Sequence, residues 1–154
     1  MRFIYLSFVS VLGVGYSPIA PGTAGAIMAC ISLWFFEKYS ILSTTSSPLL
    51  FIGLIVITTI LGIIASNQLE KELGKDASII VIDEVIGMWI TMLFVPFTWL
   101  TILIGFVLFR FFDIVKPLGI RKMENFNGGL GVMADDMLAG IYSNILLLII
   151  FRFL

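Results

Sequence analysis

The chain has 154 residues, 60% hydrophobic and only 12% charged, with a net charge of -1 and a mean hydropathy of +1.13. Soluble domains carry about a quarter charged residues, so this composition predicts a single membrane-embedded domain over residues 1–154; the lack of any basic run excludes nucleic acid as a partner. With no histidine and one cysteine, His nucleophiles, His bases, His-ligated zinc and a disulfide within the chain are excluded as well.

Residues 3–14, FIYLSFVSVLGV, are apolar but shorter than the roughly 20 residues a membrane helix needs. Arg2 ahead of them gives the look of a signal peptide, yet the Pro- and Gly-rich SPIAPGTAGA that follows offers no clear small-x-small cleavage site. The expectation is a retained interfacial or re-entrant segment. Over PIAPGTAG, residues 18–25, Pro21 and the glycines should break the helical ladder and leave the amides of Gly22 and Thr23 free. Such a loop running into a helix can hold an anion, although taken alone the signal is weak and a tight turn entering a membrane helix is the better explanation. Residues 24–36 form a first candidate span, and Cys30 within it reads as a small buried hydrophobe, with no arginine at the spacing of a cysteine phosphatase.

A polar turn over 39–48 leads to a second span, residues 49–66. QLEKELGKDAS extends it as a solvated helix closed by Gly74, with Glu70, Lys71, Glu72, Lys75 and Asp76 on a wet face. IIVIDEVIGMW then sets Asp83 and Glu84 between apolar flanks. One carboxylate would cap a helix; two in tandem favour a charged ligand. Residues 85–95 and 99–112 read as a helical hairpin turning at Pro96, with one long kinked helix as the lesser alternative. Arg110, Asp113 and Lys116, at i, i+3 and i+6, share one helical face before Pro117, where a salt-bridge network is the plain structural explanation. NGGLG, residues 127–131, reads as a flexible turn, with Asp135 and Asp136 at the start of a last helix over 137–151.

The predicted fold is therefore all-α, a polytopic membrane helical bundle of about four spanning helices plus the short N-terminal segment. Threading the spans alternately puts every polar motif on one face, with Lys71, Lys75, Arg110, Lys116, Arg121 and Lys122, against Lys38 and Arg152 opposite. The positive-inside rule makes that face cytoplasmic. Converging carboxylates would repel by on the order of 4 kcal/mol per close pair, and an all-oxygen set suits Mg2+ or a similar hard cation, with Arg110 and Lys116 completing an anion site. A small membrane cation transporter or channel subunit is the alternative from another class, and it calls for acids along helix middles. A purely structural protein would tolerate amide replacement of the acids.

APGTAG, IIVIDEVIGMW, FRFFDIVKP and GGLGVMADDMLAG, in that order over nearly the whole chain, resemble the phosphatidylglycerophosphatase A family of bacterial membrane phosphatases. The resemblance implies a multi-pass enzyme of the bacterial cytoplasmic membrane, its site facing the cytoplasm. It would hydrolyse a phospholipid substrate, phosphatidylglycerophosphate, to phosphatidylglycerol and phosphate with magnesium. Carried onto this sequence, Asp83, Glu84, Asp135 and Asp136 would hold the metal, and one of them or Asp113 would orient or deprotonate water. Lys116 and Arg110 would hold phosphoryl oxygens, and Gly22 and Thr23 would offer amides. Ala26, Ala77 and Gly119 stand where the family pattern has serine, proline and a second proline. Direct water attack and a carboxylate nucleophile both stay open.

Overall fold

A computed structural model describes residues 2–74 and 77–153, the side chains of Lys71 and Phe153 excepted, and among the described residues all regular structure is helical. The wet-face assignments of Lys75, Asp76 and the Lys71 side chain lie outside the described residues. Six α-helices follow one another: α1 (Arg2–Val9), α2 (Pro21–Lys38), α3 (Pro48–Leu73), α4 (Ile82–Thr91), α5 (Trp99–Val115) and α6 (Gly129–Phe153). Short 3-10 turns lie at Val14–Tyr16 and Ile120–Asn125.

The bundle is built around α4, ten residues long and buried at every position except Glu84. It packs chiefly on α6 and α2 and also touches α3 and α5. Its contact with α6 is backbone on backbone. A Cβ on Gly140 would run into the carbonyl oxygen of Gly87, and one on Gly87 would lie 2.7 Å from the carbonyl oxygen of Asp136. Only glycine allows that approach, and Thr91 Oγ1, which donates to the Gly87 carbonyl within α4 at 2.9 Å, also reaches the Gly140 carbonyl of α6 at 3.5 Å.

Three expectations change in the structure. The irregular loop expected over 18–25 ends at Pro21, which opens α2 at a position where its missing N–H costs nothing. Gly22 and Gly25 thus belong to a helical turn; a Cβ at Gly25 would sit 2.9 Å from Val81. The turn expected at 127–131 stops at Gly128, so α6 begins at Gly129, and Asp135 and Asp136 lie in its second turn rather than at its start. Finally, the first arm of the expected hairpin is the short buried α4 and not a span. The turn that follows ends at a capping box in which Thr98 and Thr101 cap each other's amides to begin α5.

Among the described residues, two helical stretches are long and apolar enough to cross a membrane, Pro48–Glu70 with 23 residues and Gly129–Arg152 with 24. This is fewer than the four expected. At 17 residues α5 falls short of the roughly 20 a crossing needs, and α2 carries a Gly-rich start and the charged pair Glu37 and Lys38. The extension of α3 closed by Gly74 is as expected. Outward-facing Val56, Ile60, Leu103, Val107, Ile145 and Ile149 leave α3, α5 and α6 broadly apolar on the outside, the kind of surface that marks a membrane or protein contact.

The N-terminal segment is an eight-residue helix, too short to cross, that folds back on α3. An ion pair from Arg2 Nε to Glu72 Oε2 at 2.7 Å holds one end. The amide of Val81 donates to the carbonyl of Val9 at 2.9 Å, tying the segment to the entry of α4.

The α4–α6 crossing generates a stability test. Gly140→Val is expected to cost about 1–3 kcal/mol or more through overpacking, lowering the thermal midpoint followed by circular dichroism in detergent. Gly53→Ala, which meets open space, is expected to be neutral or mildly stabilising through helix propensity.

Candidate active site

The helix directions gather one end of the bundle. The starts of α2, α4 and α6 meet the ends of α3 and α5 there, and the sequence-predicted acids ride on those ends. Asp83 and Glu84 occupy the first turn of α4, where the amide of Glu84 donates to Asp83 Oδ1 at 3.1 Å. Asp136 reaches them from α6. One oxygen from each of Asp83, Glu84 and Asp136 lies within 4.8 Å of the others. Asp83 and Asp136 are only 6% and 4% exposed, and Glu84 Oε2 is buried with no hydrogen-bond partner.

If all three were ionised, with oxygens no more than 4.8 Å apart, each pair would repel by at least roughly 3 kcal/mol at an effective dielectric near 20. An acceptor-only oxygen set with an unpartnered buried carboxylate oxygen fits a hard divalent cation of the magnesium type.

Arg110 and Asp113 line the next wall, ion-paired one turn apart on α5 through Nη1 and Oδ2. Their side chains are 16% and 12% exposed, and Arg110 Nε is buried with no hydrogen bond. The backbone of Gly22 lies against both walls: a Cβ there would collide with Glu84 Oε1 and come within 3.3 Å of Arg110 Nη1. No side chain caps the start of α2, so the backbone amides of Gly22 and Thr23 in its first turn have no intrahelical partner.

Lys116 departs from the face it was expected to share with Arg110 and Asp113. It is the C-cap of α5 in the left-handed region, φ 49°, so its side chain leaves the helical stripe and turns toward α6. There Nζ contacts Asp135 Oδ2 at 2.5 Å and Glu124 Oε1 at 2.7 Å. Burial pushes its pKa down, but the hydrogen bonds with Asp135 and Glu124 outweigh that and hold the ammonium well above the usual lysine range. Asp135 Oδ2 is therefore engaged with Lys116, and Asp135 borders the group of Asp83, Glu84 and Asp136 without being one of the three whose oxygens lie within 4.8 Å of one another.

Two contributors escaped the sequence reading. Glu124, on the 3-10 turn Ile120–Asn125, closes the Lys116 ion pair; being an acid between a lysine-proline motif and an Asp pair was its only signal. Asn67, near the end of α3, accepts from the amide of Gly129 at 2.7 Å and so fixes the start of α6. Nothing in its sequence neighbourhood marks it, because the contact joins residues 62 positions apart.

The chain matches the model of the family described as phosphatidylglycerophosphatase A over residues 7–151. It is 50% identical over 153 residues to a Bacteroides thetaiotaomicron protein named "Putative phosphatidylinositol-3-phosphatase", covering 92% of each chain. Two proteins named phosphatidylglycerophosphatase A are also similar. The Escherichia coli one is 39% identical over 135 residues, 85% of this chain and 74% of its own. The Haemophilus influenzae one is 35% identical over 134 residues, 85% of this chain and 78% of its own. No solved structure matches. The match over nearly the full length, together with the acidic cluster at one end of the bundle, establishes that this chain belongs to the phosphatidylglycerophosphatase A family, a family of phosphatases.

Proposed function

We propose that the chain hydrolyses the phosphate monoester of phosphatidylglycerophosphate, giving phosphatidylglycerol and phosphate, with magnesium as cofactor. The observation that carries this reading is the meeting of Asp83, Glu84 and Asp136 beside the Arg110–Asp113 pair. Phosphate monoesters hydrolyse extremely slowly unaided. A site for them needs charge neutralisation, a held phosphate and an oriented water.

Asp83, Glu84 and Asp136 would hold the cation, with Asp135 near enough in sequence to join them if Lys116 releases it. A bound divalent cation supplies Lewis-acid neutralisation of phosphoryl oxygens and lowers the pKa of coordinated water. The protein's own groups do the rest. Arg110, steadied by Asp113, offers its guanidinium to phosphoryl oxygens, and the free amides at Gly22 and Thr23 face the same anion with the helix dipole behind them. Lys116 stays cationic and compensates the site's excess negative charge. Asp113, at the edge of the cluster, is the carboxylate we assign to orienting or deprotonating the attacking water.

A lipid substrate agrees with the architecture, because the charged end of the bundle adjoins broad apolar helix faces. In a bacterial cytoplasmic membrane the spans over Pro48–Glu70 and Gly129–Arg152 would anchor the enzyme, and the basic side chains at the site end would place that end at the cytoplasmic surface. The name of the 50% identical relative favours a second substrate, a phosphatidylinositol 3-phosphate. Both are lipid phosphate monoesters and make the same demands on the site. An ion-path reading is disfavoured because the acids gather at one end instead of lining the bundle.

Purified full-length protein in detergent is expected to release phosphate from phosphatidylglycerophosphate with Mg2+ and to stop on EDTA addition, with activity restored by excess Mg2+. Asp83→Asn and Asp136→Asn should each lower kcat by about a hundredfold or more; wild-type rates from both would sink the assignment. Arg110→Lys keeps the charge but loses the planar fork, so KM is expected to rise about tenfold. Phosphatidylinositol 3-phosphate run in parallel decides between the substrates by kcat/KM.

A further inference from the structure

The helix faces that form the Arg110 side of the site continue away from it as an apolar cleft. A groove of about 400 Å³ lies between α2 and α5, lined by Ile27 and Cys30 on one side and by Trp99, Ile102, Leu103 and Phe106 on the other. Helical spacing ties this groove to the charged end. Thr23 stands four residues before Ile27 on α2, and Arg110 four residues after Phe106 on α5, so each is the next residue along its own stripe. The two stripes close together where the backbone of Gly22 approaches Arg110 Nη1.

The dimensions of the groove have a meaning. From Trp99 to Arg110 the rise along α5 is about 16 Å at 1.5 Å per residue, close to the roughly 15 Å depth of one leaflet's hydrocarbon. Ile102 forms a floor that is 7% exposed, whereas Ile27 and Leu103, at 47% and 60%, stand open to the outside. A chain could therefore enter sideways while its polar end rests at Arg110. The charge at that end is complementary to a phosphate, and the walls beyond it carry nothing but hydrocarbon, a thiol and one indole.

We propose that the α2–α5 groove holds an acyl chain of the phospholipid whose phosphate lies at the acidic cluster, and that it is where the enzyme reads chain length. The inference rests on the lipid-phosphatase reading for the headgroup and names the part of the molecule that reading leaves unassigned. Leu103 and Cys30 act here as binding residues, remote from the reacting atoms.

The test is photolabelling of the full-length protein in detergent by diacylglycerol 3-phosphate carrying a diazirine within one acyl chain. A phosphatidylcholine with the same chain serves as comparison. Label from the phosphate monoester is expected to concentrate on the segments 27–30 and 102–106, above that from phosphatidylcholine. Leu103→Trp, a bulky replacement at an exposed position, should lower the ratio of kcat/KM for long-chain over short-chain substrate about tenfold. Label spread over the outer faces of α3 and α6, equal labelling by both probes, or an unchanged chain-length ratio would overturn the proposal. So would disulfide cross-linking of two copies of a Leu103→Cys variant, which would make the groove a dimer face. Groove labelling without phosphate release upholds the groove and removes the phosphatase reading; phosphate release without groove labelling does the reverse.

Discussion

Like charges held together in a poorly solvated place are the constraint around which this fold is arranged. Asp83, Glu84 and Asp136 come from two helices that must nearly touch for their carboxylates to share one site. That contact exists because Gly87 and Gly140 let the backbones of α4 and α6 meet. On the other side Gly22 and Gly25 bring α2 against Glu84 and Val81 in the same way. The glycines are thus spent on proximity: each removes a side chain where a carboxylate-bearing helix has to come close.

Proximity alone would be unstable, and the surrounding ion pairs offset only part of it. Six carboxylates, Asp83, Glu84, Asp113, Glu124, Asp135 and Asp136, gather at this end with two basic side chains in contact with them, Arg110 and Lys116. Arg110 serves Asp113, and Lys116 serves Asp135 and Glu124. No basic group contacts the remaining three acids among the described ion pairs. The distribution is uneven in an informative way, because the unneutralised acids are the ones whose oxygens converge and include the unpartnered Glu84 Oε2. A hard cation is the simplest complement to such a set.

Much of this was legible in the sequence. Acids in an otherwise apolar chain are conspicuous, and tandem carboxylates exceed what capping requires, so Asp83, Glu84, Asp135 and Asp136 all stood out in the sequence, which could not separate Asp135, engaged by Lys116, from the other three. The apolar run of α3 and its closure at Gly74 were equally plain. What could not be read was the role of glycine and proline. PGTAG looks like a broken loop when only local propensity is considered, yet Pro21 is a helix start and the glycines are contact points, a tertiary property. The same error displaced the start of α6, since NGGLG has poor helix propensity and is nevertheless helical from Gly129, whose amide is capped by Asn67. Lys116 failed for a different reason: helical spacing stops predicting neighbours once the backbone enters the left-handed region. Two described helices meet the length and apolarity of a span where about four were expected; hydrophobic composition does not distinguish a helix facing lipid from one buried among its neighbours, and α4 is the buried kind.

That burial of α4 bears on the chemistry. A ten-residue helix enclosed on all sides keeps its first turn in a low-dielectric setting, where its dipole is screened least. Three helices, α2, α4 and α6, begin at the site end, and neither α2 nor α4 has a side-chain cap. Each start contributes roughly half a positive charge. The site therefore holds its carboxylates against partial positive charges of the backbone that cannot move away, while the Lys116 ion pair borders it, with Lys116 18% and Glu124 42% exposed. Under the proposed phosphatase reading, an arriving phosphate would meet preset backbone dipoles and Arg110, with little reorganisation asked of the buried centre.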